Sequence, residues 1–440
     1  MNRPVLHLPI GWPARDISRM FNHRVIEQHA EEAGFLWTLR HQAVHAPHYD
    51  LADIAELDEA VEAHLDGLRI AGQTGWDIAI AQAQDAPENI FPLAILAFGG
   101  SSREHLRDAF NLGSADEETL PALISALGWL DHATVAPILN MLMTAQLPIY
   151  RQVGLAASAI HRKDPGSLLK TLIDDPDAPV RARALRAAGE LKRVDLTAQV
   201  LAHLKDPDEA SRFWAIWTLC LLDVPQALNA LHPYLFEANS PFNLTALHLG
   251  LRAARPTRQF DWFSTLCRTP ELKRQAVVGA GIVGNFAVMP WLIEQMQQPA
   301  LAKYAGEAFS MMTGIDLYYH DLDLDDEDGA PENTDGEDEK ELSWSDDDEE
   351  MPSPDEENDL PVPDPRLIAA WWQEHQRQYM PGKRYLAGKI IDANAAIDVL
   401  RHGLQRQRKA AALELALLQP EQPLFEVRAQ GKKQKRMLNP

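Results

Sequence analysis

The chain has 440 residues, 46% apolar and 24% charged, with only two cysteines, Cys220 and Cys267. It is long enough to bury a sizeable core, lacks a disulfide framework, and has no apolar run that would span a bilayer. The net charge of −23 is uneven: residues 321–360 hold 21 acids and one lysine, whereas residues 361–440 hold 14 Lys or Arg against 7 acids, so nothing supports nucleic-acid binding by the main body.

The opening stretch, MNRPVLHLPIGWPARD, contains prolines and no apolar core. No secretory leader is expected from it, and the chain reads as cytoplasmic with both thiols buried and reduced. Residues 1–85 do not repeat and are expected to form an N-terminal helical cap. Two helices are predicted, separated at Ala46 and Pro47 and followed by a turn at Gly72 and Gly75. Leu51, Ile54, Leu57, Val61, Leu65 and Leu68 give the second helix a buried face. His41, His45 and His48 are weak metal candidates, because histidines four apart share one helical face. No nearby Cys or carboxylate completes a ligand set, so structural or partner-facing roles are the first expectation.

From residue 86 to 318 the chain repeats itself. The segment DDPDAPVRARALRAAGEL (174–191) recurs 31 residues later as KDPDEASRFWAIWTLCLL, with Arg181 over Arg212. Further steps reach Asn243 and Arg274 downstream, and Arg151, Leu120 and Phe91 upstream, about eight copies between positions 90 and 314. Val180, Ala184, Ala187, Ala188 and Leu191 fall on one face of a helix. Asp177 is placed to accept hydrogen bonds from free amides at its start, and Pro179 needs no donor in the first turn. A second apolar stretch between copies, such as LTAQVLAHL (196–204), supplies an antiparallel partner. Gly154, Ala184, Ala215 and Ala246 share one register position and predict close helix approach. At one step His161 takes the place of Leu191, so that copy ends imperfectly. The sequence GAGIVGN (279–285) imitates a dinucleotide fingerprint but lies on a predicted helix, where small residues serve packing. Trp214, Trp217, Trp371 and Trp372 are unusually dense. Core packing is the first expectation for them and an aromatic anchor for a partner the second.

Residues 319–362 form an acidic insertion too poor in aliphatics to bury itself, and disorder is predicted. An EF-hand register fails there, since Gly329 at the turn position puts Leu324 where the first ligand belongs. The segment is otherwise a solvated charge run or an arm that shields the basic tail at Lys432, Lys433, Lys435 and Arg436. Residues 363–440 are expected to give C-terminal helices, a cap and a frayed basic tail. Within them QRQRKAAALELALL reads as another second helix of a repeat, at Arg408, Ala411, Leu413 and Leu417.

The unit D-P-D-x-x-V-R-x-x-A-L-x-A-A-G-x-L, nearly complete at 175–191, resembles the short HEAT repeats. The resemblance spans about residues 85–315 and implies an all-α fold, a right-handed α-solenoid with helical caps. It also implies that an Asp at the inter-helix turn and an Arg early in the second helix tie units together. The matching positions are Asp175, Arg151, Arg181, Arg212 and Arg274, with Asn243 a departure. HEAT-like hydroxylases bind iron through His-Glu pairs, and this chain has no such dipeptide; the bilin-lyase branch shares only the scaffold. The stretches FLWTLRHQAVHAPHY, AHLDGLRIAG, PGKRYLAGK and PLFEVRAQG resemble a proteobacterial family with such repeats, encoded near type VI secretion genes. Walker, Rossmann and GxSxG patterns are missing from the sequence, so neither catalysis nor a cofactor is expected. The expected role is a non-enzymatic scaffold or adaptor gripping a protein on its concave surface: a type VI secretion component, effector or toxin. An immunity protein and a metal-dependent enzyme using the N-terminal histidines are the alternatives.

Overall fold

A computed structural model describes residues 22–324 and 360–439. Eight helices form a continuous inner layer, each beside the next: Ile90–Gly99, Leu120–Trp129, Pro148–Ile160, Ala178–Glu190, Glu209–Leu221, Asn243–Ala253, Lys273–Val283 and Pro299–Thr313. Outer helices from Gln73–Gln82 to Met289–Gln295 alternate with them. The architecture is therefore an α-solenoid of helix pairs. One apolar cluster runs through it from Ala33 to Ile368, so each unit buries its neighbour.

The unit boundaries follow from the turn residues. Asp177 and Asp208 accept hydrogen bonds from the Val180 and Ser211 amides at 3.2 and 2.7 Å, capping two successive inner helices. Arg151 forks onto Asp175 with both distances at 2.8 Å, and Arg181 forks onto Asp206 at 2.9 and 3.0 Å. This bidentate geometry holds one turn to the next. The later units use other chemistry. Arg212 donates to the Asp206 carbonyl of its own turn, and Arg274 lies 4.1 Å over the Tyr304 ring. Asn243 is buried and donates to the Tyr234 and Leu235 carbonyls, closing the preceding outer helix.

At Gly154 the close helix approach expected of the shared register position is present. A Cβ on Gly154 would meet Leu142 and Met143 of its own outer helix. Neighbouring inner helices also press together elsewhere: a Cβ on Gly189 would lie 2.5 Å from the Thr218 hydroxyl and 3.0 Å from its Cα, and one on Gly128 would lie 2.7 Å from Ile160. Gly75 lies within a third N-terminal helix rather than in a turn, because its missing side chain lets Gln73–Gln82 press on the Leu68 carbonyl. Gly72, at φ +58°, makes that turn alone.

At the imperfect copy, His161 is satisfied by its Nε2–H donating to the Leu127 carbonyl at 2.9 Å. Burial, with Lys433 and His132 adding like charge, pulls its pKa from 6.5 down to about 4. Between those values the unfolded chain binds the extra proton. This contribution to stability is thus intact above pH 6.5 and is lost as the pH falls towards 4. The urea midpoint should drop across that window, and His161→Gln should flatten the drop.

The chain after the repeats departs from the expected cap and frayed tail. Leu324 N–H bonds the Val362 carbonyl and Asp364 N–H the Leu322 carbonyl, both at 2.8 Å, so the two ends of the acidic insertion lie side by side. Its residues 325–359, with the disorder and shielding expected of them, lie outside the described residues. Helix Pro365–His375 follows, and then a two-stranded hairpin pairs Tyr385 with Ile390, a small exception to an all-α fold. The hairpin docks on Gly284 and on the end of Pro299–Thr313 through amides of Tyr385, Ala387 and Gly388. Helix Gln405–Leu418 then leaves the stack and lies against inner helix Asn243–Ala253. Its Ala410, Ala411, Ala412 and Leu415 pack with Ala393–His402 in a second cluster, while Leu413 joins the main one. The basic tail forms helix Gly431–Leu438, seated on Leu51–Ala71.

Candidate functional site on the inner face

In an open solenoid the inner helices keep one polar stripe wet. Here that stripe is buried: Arg183, Arg186 and Glu190 on one helix, and Thr245 and Arg252 two inner helices on. The cover is the chain's own C-terminal segment, first helix Gln405–Leu418 and then the irregular stretch 419–430.

Glu190, 1% exposed, is the centre. Its carboxylate takes Arg162 at 3.2 Å, Arg183 at 3.2 Å and Arg186 at 3.1 Å. Burial alone would raise its pKa, but these guanidiniums outweigh it and hold the group well below the carboxylate range. Its main-chain carbonyl accepts the Leu424 amide at 2.8 Å. Arg162 in turn donates Nε to the Leu424 carbonyl at 2.7 Å and pairs with Glu426 at 3.1 Å. Lys192 donates to the Leu221 and Ala416 carbonyls, and burial lowers its pKa to about 8 against the pull of Asp223.

Arg162, Lys192 and Asp223 follow three successive inner helices with φ of +48°, +55° and +55°. A left-handed backbone costs a side-chain-bearing residue about 1–2 kcal/mol, and glycine is the usual occupant. At the first two sites the side chain gained is the one that holds the C-terminal segment. Further along, Arg40 pairs with Asp58 at 2.9 Å and donates to the Arg428 and Ala429 carbonyls at 2.7 and 3.1 Å. Asp58 also accepts the Gly431 amide at 2.6 Å. Lys433 caps helix Leu120–Trp129 through the carbonyls of Gly128, Trp129 and Leu130. Arg406 joins the two ends of the array, reaching the His45 carbonyl at 2.8 Å and Glu307 at 2.7 Å.

Trp214 and Trp217 are each 5% exposed and contribute to the wall of a small cleft shared with Arg162, Arg186, Glu190, Lys409 and Phe425. The Arg186 guanidinium lies 4.4 Å over the Trp214 ring. Neither indole offers an open face to a partner. Trp371 and Trp372 are half-buried, against Phe309 and Phe286. The His41 and His45 rings are 6.1 Å apart and His48 packs on Tyr49. Among the described residues no three His, Cys, Asp or Glu converge as metal ligands. Cys220 is buried, whereas Cys267 is only half-buried, with burial raising its thiol to about 11. Sequence reasoning missed Glu190, Arg162, Lys192 and Arg40. For Arg162 and Lys192 the available signal was a long cationic side chain where the repeat frame ends a helix.

Residues 166–248 match the family model for HEAT repeats. The chain therefore carries a HEAT repeat region within a largely helical protein, and repeats of this kind suggest a protein-interaction scaffold. No curated protein and no solved structure matches it. Among the described residues no helix is long and apolar enough to cross a membrane.

Proposed function

We propose that this chain is a non-enzymatic scaffold or adaptor that binds a protein partner through its repeat array. The observation in its favour is that the inner face already grips polypeptide by the main chain. Arg162 and Lys192 donate to carbonyls of the C-terminal segment, and Arg40 of the first helix adds a third such contact. Main-chain recognition with pockets for alternate side chains suits a protein ligand. The finer reading, a partner from type VI secretion, rests on the resemblance of PLFEVRAQG and the N-terminal stretches to a family encoded beside those genes. The partner is then a cargo, an effector or a toxin to be neutralised. Cross-linking the tagged full chain in its native cell tests this: a stoichiometric partner encoded nearby is expected. Recovery of the chain alone, in cells making those neighbouring proteins, would count against the reading.

A further inference from the structure

We infer that the inner face is a peptide groove held closed by residues 422–430, and that its partner is an extended peptide of apolar–aromatic–acidic character like Leu424–Phe425–Glu426. This deepens the scaffold reading and rests on it. Three observations meet here. Residues 423–426 have no regular secondary structure, yet solenoid groups fix them: the Leu424 amide and carbonyl are both bonded, and Glu426 meets Arg162. Recognition is thus of an extended main chain plus one acid, a pattern that any peptide of that chemistry reproduces. Second, Arg162 and Lys192 hold left-handed backbones in equivalent positions of adjacent units, and such strain is kept where the side chain has a task. Third, the stretch is tethered at its far end by a separate device, Gly431 against Ala55 with Lys433 on the 128–130 carbonyls. A strand read by its main chain and latched elsewhere is displaceable once the latch opens.

The latch is the place to intervene. A Cβ at Gly431 would lie 2.7 Å from the Ala55 Cβ and 2.8 Å from its Cα, so Gly431→Val drives the last helix off Leu51–Ala71 without touching the groove. The probe is a fluorescent synthetic peptide of residues 419–432, titrated against the full chain and read by anisotropy. The segment stays joined to helix Gln405–Leu418 in the variant and still competes as a tethered strand, so Gly431→Val gains only what the latch contributed and should bind the probe about 10-fold tighter than the unaltered chain. A peptide with Lys for Glu426 should not bind, and Arg162→Gln should bind the unaltered peptide and its Glu426→Gln form alike. A folded Gly431→Val chain that ignores the probe overturns the proposal, as does indifference to the charge swap. A dimer of Gly431→Val by light scattering also overturns it, in favour of a tail exchanged between copies. Hydrogen exchange on the unaltered chain gives a reading that no folding defect obscures. The Leu424 amide should exchange by local opening, faster than amides of Ala178–Glu190, and equal rates would overturn the latch. If the probe fails while cross-linking still recovers a partner, the groove is wrong and the scaffold reading survives.

Discussion

Glu190→Ala is expected to destabilise the chain by about 3–5 kcal/mol, the scale for stripping one partner from a buried ion cluster. Three guanidiniums, those of Arg162, Arg183 and Arg186, would lose a shared carboxylate that is 1% exposed at the edge of the cleft. Arginine cannot discharge by losing its proton, so the cost falls on packing rather than on titration. Glu190→Gln retains the shape and should recover only a small part. The main-chain bond to Leu424 does not involve the carboxylate, so the loss reports charge and not the missing strand contact. Urea unfolding measures the global loss, and limited proteolysis between residues 419 and 430 should report a loosened segment before the core unfolds. Because the cluster is buried, added salt should restore little. A loss under about 1 kcal/mol, the value of an exposed pair, would mean that these charges are solvated and the segment is not seated on them.

That cluster marks where legibility ended. The repeat was open to reading because a helix that buries one face must repeat its apolar positions, and Val180, Ala184, Ala188 and Leu191 do so. The inner helices accordingly fall at the predicted spacing. Periodicity reports which side of a helix is apolar, though, and is silent on what covers the other side. Arg183, Arg186 and Glu190 lie off that apolar face, yet residues more than 220 positions away cover them. Helix Gln405–Leu418 misled for a related reason. Its Arg408 mimics the early arginine of a unit, but that side chain turns to the Leu400 carbonyl and to Gln405 and Gln434. Local pattern set its secondary structure, and long-range packing set its place. The tail misled by composition alone. Lys432, Lys435 and Arg436 are exposed as a basic tail should be, but Gln434 among them and Leu438 beyond them are buried.

The same packing makes the two ends of the array depend on each other. Arg40 stands on the first helix, holds carbonyls of residues 428 and 429, and lies 5.5 Å over the Trp129 ring. Trp129 donates to Glu62 of the second helix. The N-terminal pair thus fastens the segment that fills the groove, besides covering the first inner helix.

Trp37→Ala should expose that dependence, at a cost of about 3–5 kcal/mol for truncating a buried tryptophan. Trp37 is 1% exposed, and its ring stacks on Phe91 at 5.4 Å with 12° between planes. Phe91 meets Trp129 edge-on at 5.4 Å, so three aromatics carry the contact from the first helix to two inner ones. Leucine in place of Trp37 should recover part of the loss by filling volume, without the stacked contact. The distinguishing readout is the far end of the sequence. Losing Trp37 frees the helix that positions Arg40, so protease cleavage between 419 and 430 should rise together with cleavage near residues 44–50. Cleavage confined to the N-terminal turn, with the C-terminal stretch still protected, would separate the two ends and leave the segment held by Glu190 and Arg162 alone.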